Sequence, residues 1–360
     1  MRPSWLVLLF LGIGHITFAQ QPALIGYYAG DGKDLPARDL SSLTHLIHCF
    51  QHLNGDTLAW MDKKQEKVLR ELTGRKRTQP DLKVLVSLGG WGGCESCSQA
   101  FAKPEARARF AKDVLALLKR TWTDGIDLDW EYPAVQGPPG HAFSDADRRN
   151  FTLLVRELRK AFGDRYEISF AAGGTDDCLL KGFEWDSIMP LVDRVHIMSY
   201  DLVHGYSTTT GHHTPLYSSR QQSLSADRAV RLLDSLHVPL GKVVIGAAFY
   251  ARVFKDVPGK NDGLYQPGRF SHTISCSAVD TTFTGPKGWR TMREQESSAA
   301  YAYNAELRQF ATYDDAISVA DKSRYVLDRK LGGIMFWQLW DDRRENGLMR
   351  VMHKVLRGLR

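Results

Sequence analysis

An alternation of acidic and apolar residues runs through the segment Asp124-Gly125-Ile126-Asp127-Leu128-Asp129-Trp130-Glu131-Tyr132-Pro133. At the two-residue period of a β-strand, the carboxylates of Asp127, Asp129 and Glu131 share one face, and the apolar side chains between them take the other. The alternative is an exposed strand whose acidic face meets water, and the apolar flanks and Pro133 argue against it. The segment therefore predicts a central strand whose acids point into the middle of the fold.

Seven further apolar, β-rich runs flank this strand, and amphipathic helical segments separate several of them. One helix is indicated by Phe151, Leu154, Val155 and Leu158 at i, i+3, i+4 and i+7. Strands that alternate with helices predict a parallel sheet, and eight such units predict a closed (β/α)8 TIM barrel. The expected strands are Leu24–Tyr28, Leu43–Phe50, Leu82–Leu88, Gly125–Glu131, Tyr166–Ala172, Arg194–Tyr200, Lys242–Phe249 and Gly333–Trp337.

The alternation of strands and helices is interrupted by one long segment between the seventh strand and a helix expected at Ala316–Leu327. It is rich in glycine, proline and aromatic residues, and a structureless loop of that length is rare inside a compact domain. We therefore expect residues 255–312 to form a small α+β insertion, and residues 20–254 and 313–360 to form the barrel.

The first residues have the pattern of a secretory signal. Arg2 precedes a short apolar run, Trp5 to Ile13, and Thr17-Phe18-Ala19 ends it with small residues where a signal peptidase cleaves. We expect residues 1–19 to be removed and the chain to be secreted or periplasmic, with no membrane attachment afterwards and as a monomer.

The chain is slightly basic, with 47 Lys and Arg against 41 Asp and Glu, a formal charge of +6. Its densest basic run, Arg75-Lys76-Arg77, follows a glycine and indicates a solvated loop. Net charge alone is weak support for nucleic-acid binding, which we do not expect.

All five cysteines lie after the predicted signal, and an odd number leaves at least one thiol without an intramolecular partner. Cys94 and Cys97 have redox spacing but follow a glycine-rich turn, so a local disulfide is favoured over an oxidoreductase site. Zinc would need two further soft ligands nearby, and the sequence shows none.

The three carboxylates on one strand face carry the chemistry. Successive residues on a face are about 6.6 Å apart along a strand. Burial and mutual repulsion are expected to raise at least one pKa, which keeps a carboxylic acid protonated near neutral pH for general acid catalysis. A divalent cation is the competing interpretation, although its ligands would come from a wider arc than one strand.

The segment Asp124…Asp127…Asp129…Glu131 resembles the Asp-x-x-Asp-x-Asp-x-Glu signature of family 18 glycoside hydrolases, the chitinases. Four further segments, in order, are similar to motifs at other strand ends of that family. They are Ser87-Leu88-Gly89-Gly90-Trp91, Met198-Ser199-Tyr200-Asp201, Ala248-Phe249-Tyr250-Ala251-Arg252 and Met335-Phe336-Trp337. The likeness covers nearly the whole chain after the signal, including a chitinase insertion domain.

The resemblance implies a retaining enzyme that cleaves β-1,4-linked N-acetylglucosamine in chitin or chitooligosaccharides, with the substrate's acetamido group as nucleophile and no cofactor or metal. Glu131 would be the acid, Asp129 would orient the acetamide, and Asp127 would share a proton with Asp129 while bonding Ser87. Tyr200 would act with these catalytic residues. The implied substrate-binding residues are Trp337, Asp201, Trp91, Tyr27, Phe50, Met198, Tyr250 and Arg252.

Other aromatic and histidine residues are expected to be structural. Trp122, Trp130 and Trp185 are predicted to pack in the core, and the adjacent His212 and His213 to shape a loop. Two alternative functions remain open: a non-catalytic chitin-binding lectin, and an endo-β-N-acetylglucosaminidase on glycoprotein glycans.

Overall fold

The computed structural model describes residues 21–59, 61–284 and 288–359, so the signal predicted at 1–19 lies outside the described residues. Eight parallel strands close into a barrel, with β1 next to both β2 and β8. The strands are β1 (Ala23–Tyr28), β2 (His45–Gln51), β3 (Lys83–Gly89), β4 (Gly125–Asp129), β5 (Glu167–Gly173), β6 (Arg194–Met198), β7 (Val243–Ala248) and β8 (Gly333–Trp337). The predicted TIM barrel is confirmed.

Helices cover the outside of the barrel because each has one apolar stripe. In the helix before β4, for example, Phe110, Val114 and Leu117 are buried against the strands. The α-helices are α1 (Lys63–Gly74), α2 (Cys97–Phe101), α3 (Pro104–Thr121), α4 (Ala146–Phe162), α5 (Asp176–Lys181), α6 (Trp185–Ile188), α7 (Ala226–Ser235), α8 (Cys276–Phe283), α9 (Ala316–Asp328) and α10 (Leu348–Leu356).

The apolar residues of the barrel form two layers. The larger layer lies between the strands and the helices, and a smaller one, which includes Ile25, Ile47 and Val244, fills the barrel lumen. Trp130 and Trp185 are buried as predicted, but Trp122 is 76% exposed, so its prediction was wrong. Trp122 follows the last residue of α3 in a left-handed conformation (φ 60°), and its side chain leaves the apolar stripe there.

A second sheet lies between β7 and α9. Five antiparallel strands, Tyr250–Lys255, Arg269–Ser275, Trp289–Glu294, Ala299–Asn304 and Gln309–Tyr313, pair together, and α8 follows the second of them. We propose that this sheet and helix are the insertion expected at 255–312, although the sheet begins at Tyr250 and so includes Arg252. The chain turns from barrel to sheet at Phe249, which is stacked on Phe336 of β8.

A fully buried ion pair fixes the return from this sheet to the barrel. Lys322 of α9 contacts Asp314 at 2.7 Å, and both side chains are 0% exposed. The carboxylate of Asp314 also accepts hydrogen bonds from the backbone N–H of Ala248 and the hydroxyl of Thr214. The pair therefore joins α9, the end of β7 and the loop after β6.

Cys94 and Cys97 are joined by a disulfide in the loop after β3, while Cys49, Cys178 and Cys276 are free and buried. Among the described residues, no helix has the length and apolar character needed to cross a bilayer.

Candidate active site

The three acids of β4 point into the lumen at increasing height. Asp127 is 0% exposed, Asp129 is 4% exposed, and Glu131, just beyond the end of the strand, is 8% exposed. The C-terminal mouth of a TIM barrel is where its active sites lie. Glu131 is therefore the acid nearest to a ligand, and the other two lie beneath it.

Asp127 is surrounded by donors. The hydroxyls of Ser169 (2.6 Å), Tyr27 (3.0 Å) and Ser87 (3.1 Å) donate to its carboxylate, and His196 Nδ1 lies 3.3 Å away. Burial alone would raise the pKa of Asp127, but His196 and these hydroxyls together lower it below its ordinary value. Asp127 is therefore a buried, fixed negative charge.

Asp129 has a different environment. Its Oδ1 is buried without a hydrogen-bond partner. Burial, followed by the charges of Glu131 and Asp127, raises its pKa well above the ordinary value. The pKa values of these two neighbouring acids are thus shifted in opposite directions, downward for Asp127 and upward for Asp129.

Glu131 has the properties of a general acid. Burial raises its pKa to about 7, the charge of Asp201 acts in the same direction, and a hydrogen bond with Tyr132 partly opposes them. A carboxylic acid with this pKa is substantially protonated near neutral pH and can both give up and recover a proton.

Asp201 is held at the mouth beyond the end of β6, two strands from β4. The guanidinium of Arg252 contacts both of its oxygens, with Nη2 at 2.5 Å from Oδ2, and His213 Nδ1 lies 3.4 Å from Oδ1. These partners outweigh the effect of burial and lower the pKa of Asp201, so it stays ionised. Its backbone is in the left-handed region (φ 54°), which turns the chain back over the mouth.

Aromatic rings form the floor of the site. Trp337, at the end of β8, is stacked on Phe50 with centroids 5.5 Å apart and 15° between planes. Tyr200 and Tyr250, which follow β6 and β7, meet edge to face at 6.4 Å, and burial raises the pKa of both phenols. Both hydroxyls therefore stay protonated.

The remaining predicted ligand residues lie at different depths. Trp91 is 54% exposed at the rim, where it meets the ring of Tyr206, and Met198 packs in the lumen layer. Tyr27 is 2% exposed, and its hydroxyl is used by Asp127 and His196. The structure thus places Tyr27 beneath the site.

Sequence reasoning missed His196 and Ser169, which complete the cage around Asp127. Alternation along β6 places His196 on the same face as Met198, and register places Ser169 opposite Asp127. The alternation of side chains along each strand could have identified both residues, but only once the pairing of the barrel strands is known.

Asp124 and the two adjacent histidines each have a different partner. Asp124 pairs with Lys76 at 2.7 Å and accepts a hydrogen bond from the backbone of β3. His212 contacts Glu294 of the second sheet, whereas His213 faces Asp201. Within the described ranges, no group of three or more His, Cys, Asp or Glu side chains is placed to hold a metal ion.

Comparison with known proteins gives this arrangement a family. The sequence model of the family described as glycosyl hydrolases family 18 matches residues 23–342, which include all eight barrel strands. The chain belongs to this family. The resemblance stated from the carboxylate motif is thereby confirmed.

Family 18 relatives match over most of this chain. Chitotriosidase-1 of Mus musculus is 29% identical over 84% of this chain and 67% of its own length. Chitinase A1 of Niallia circulans is 30% identical over 76% of this chain, which spans only 43% of that protein. A family 18 N-acetylglucosaminidase from Paenibacillus barengoltzii has a solved structure with a TM-score of 0.85, 32% identity and coverage of 93% of this chain and 99% of its own.

Proposed function

We propose that this family 18 protein is a retaining glycosidase that cleaves β-1,4 linkages between N-acetylglucosamine units of chitin or chitooligosaccharides. The observation that carries the proposal is the stack of Asp129 and Glu131, both with raised pKa values, above the caged carboxylate of Asp127 in a barrel whose eighth strand ends at Trp337. Relatives named as chitinases support the choice of substrate.

The first step is cleavage of the glycosidic bond. Glu131 gives its proton to the glycosidic oxygen as the bond from C1 to that oxygen breaks. The carbonyl oxygen of the substrate's own acetamide forms a new bond to C1, which closes an oxazolinium ring. Asp129 orients the acetamide, and the fixed charge of Asp127 below it favours the positive charge of that ring.

The second step restores both the acid and the sugar. Water attacks C1, the bond to the acetamide oxygen breaks, and the water proton passes to the Glu131 carboxylate. Two displacements at C1 give net retention of configuration. Family 18 is an exception to the scheme with two catalytic carboxylates, because the acetamide replaces the enzyme's nucleophile.

The walls of the site fit a neutral sugar. The C–H faces of a pyranose stack on an indole ring, which suits Trp337 with Phe50 behind it. We assign Asp201 and Tyr200 to the acetamide side of the sugar, because they follow β6, which β7 separates from Trp337 at the end of β8. Trp91, exposed at the rim, would meet a neighbouring sugar.

The primary test replaces Glu131 by Gln, which keeps the shape of the side chain and removes the acid. The variant should lose nearly all release of N-acetylglucosamine products from chitotetraose while keeping its unfolding temperature. Asp124→Asn is the matched control from the same motif, and it should lower stability more than turnover. Full activity of Glu131→Gln would refute the assignment of the acid.

Product analysis separates the candidate activities. Polarimetry or NMR of early products should show the β-anomer, and the oligomer lengths should distinguish release of single N-acetylglucosamine units, as the Paenibacillus relative's name suggests, from internal cleavage. Binding without turnover would instead support the lectin hypothesis. Turnover of a high-mannose glycopeptide in place of chitotetraose would support the endo-β-N-acetylglucosaminidase.

We also propose that the chain is exported after loss of residues 1–19, which fits the pattern of its first residues. N-terminal sequencing of the protein recovered outside the cytoplasm should begin at Gln20. An intact Met1 would contradict this.

A further inference from the structure

The loop after β6 carries a histidine that the proposed mechanism does not use. His213 is 0% exposed, and its Nδ1 lies 3.4 Å from Oδ1 of Asp201. A carboxylate can only accept, so in the neutral ring the proton is on Nδ1 and is donated to Asp201. The other ring nitrogen, Nε2, is buried without a partner.

Buried contacts hold this ring in place. It packs on Tyr250 with centroids 5.2 Å apart, and its backbone N–H donates to the hydroxyl of Thr312. Its carbonyl accepts the N–H of Leu202, the residue after Asp201. The loop that carries Asp201 and the loop that carries His213 are thus tied together at both backbone and side chain.

Thr214, the residue after His213, fixes the loop to the barrel. The hydroxyl of Thr214 donates to Asp314 at 3.0 Å and receives a bond from Lys322 at 2.5 Å. The side chains of the Asp314–Lys322 ion pair are fully buried. His213 therefore stands on a rigid support, as a residue that positions another must.

We propose that His213 is a positioning residue whose Nδ1–H holds the Asp201 carboxylate in its charged form and in its place beside the acid Glu131. The proposal rests on the proposed glycosidase function, since it assigns Asp201 to the substrate side of that site. His212, next in sequence, faces Glu294 on the other side of the loop and has no such role.

Several other groups act on this pair. Arg252 supplies the stronger contact to Asp201, and the charge of Asp201 raises the pKa of Glu131. Burial lowers the pKa of His213 itself, so the ring is neutral while Glu131 titrates. Among the described residues, the charged and titratable groups that face the pair are Arg252, Tyr200, Tyr250, Glu131, His204 and Asp314.

Two substitutions at His213 separate the donor from the ring. His213→Phe keeps a ring against Tyr250 and removes the donor, whereas His213→Asn keeps an N–H near the position of Nδ1. The pH profile of kcat/KM on chitotetraose is the readout. For His213→Phe the acidic limb should move up by about one pH unit, because Asp201 is protonated more easily, and the maximal kcat/KM should fall about tenfold.

Controls make each outcome decisive. His213→Asn should keep the wild-type acidic limb, and His212→Asn should leave it unchanged even if stability falls. An unshifted limb in His213→Phe, or equal shifts in both His213 variants, overturns the proposal. An inactive wild-type protein would instead refute the proposed function, so the two failures are distinguishable.

A measurement on the wild-type protein covers the case in which His213→Phe does not fold. Nitrogen-15 NMR of the histidine rings, with His213→Asn used to assign the signal, should show His213 with its proton on Nδ1 at neutral pH. A proton on Nε2 would mean that the ring cannot donate to Asp201, and the proposal would be wrong.

Discussion

Removal of one hydroxyl, in Ser169→Ala, should change the pH dependence of the proposed enzyme. Ser169 donates to Asp127 at 2.6 Å, the shortest of the three hydroxyl contacts described in its cage. A hydrogen bond to a buried charged group contributes about 1.5–3 kcal/mol. One pKa unit corresponds to about 1.36 kcal/mol, so the loss should raise the pKa of Asp127 by about 1 to 2 units.

The direction of the expected change follows from the lowered pKa of Asp127 in the folded protein. The pKa of Asp127 is lowered in the folded protein, so its charged form and the associated stability are present at higher pH and are lost as the pH falls through that lowered value. In Ser169→Ala this loss begins at a higher pH. Because activity requires both Asp127 and Asp201 to be ionised, the acidic limb of kcat/KM should move upward toward the raised pKa of Asp127, and acid unfolding should begin earlier.

The assay is initial-rate hydrolysis of chitotetraose across the acidic range, with unfolding followed by circular dichroism at each pH. Ser323→Ala is a matched control, because Ser323 is also buried but donates to a helix carbonyl far from the carboxylates. Ser87→Ala, which removes a longer bond of 3.1 Å, should give a smaller shift. The reasoning is refuted if Ser169→Ala keeps the wild-type acidic limb.

Three further outcomes are expected. The basic limb of kcat should have a midpoint near pH 7, because the acid Glu131 loses its proton there, and a profile flat through that range would contradict it. Trp337→Ala should raise KM for chitotetraose and lower kcat/KM by about tenfold or more through lost stacking, with Phe50→Leu giving a smaller effect in the same rate assay. Lys322→Met should reduce the free energy of unfolding by about 3–5 kcal/mol in urea titration, because Asp314 stays buried and unpaired, and a change below about 1 kcal/mol would contradict this.

The barrel was predictable because its signal is repeated. Each strand is a short apolar run between polar segments, and eight such runs in alternation with helices leave few other arrangements. The three acids of β4 were predictable for a similar reason, because one strand period fixes which face they share. Neither inference needed knowledge of distant contacts.

Other parts of the site depend on contacts between distant segments. His196 and Ser169 reach Asp127 from β6 and β5, respectively, and only the stagger of the barrel brings the three together. His213 was expected to shape its loop, and the fold of that loop over the mouth aims its ring at Asp201. The prediction for Trp122 was wrong because tryptophan is usually largely buried, whereas the end of α3 turns this side chain outward.

Pairing of β1 with β8 has a consequence for how the chain matures. Register joins Ala23 to Gly333 and Gly26 to Phe336, so the first strand finds its last neighbour only after nearly the whole sequence is available. Contacts between residues this far apart in the sequence form late and slowly, because the entropy cost of closing a long loop comes before the contacts can stabilise the fold. Until then the Trp337 floor is absent, and the acids of β4 lie on the exposed face of an unclosed sheet. In a chain of this topology, the active site would be complete only when the barrel closes. A polypeptide halted before β8 would carry the acids of β4 without a complete site.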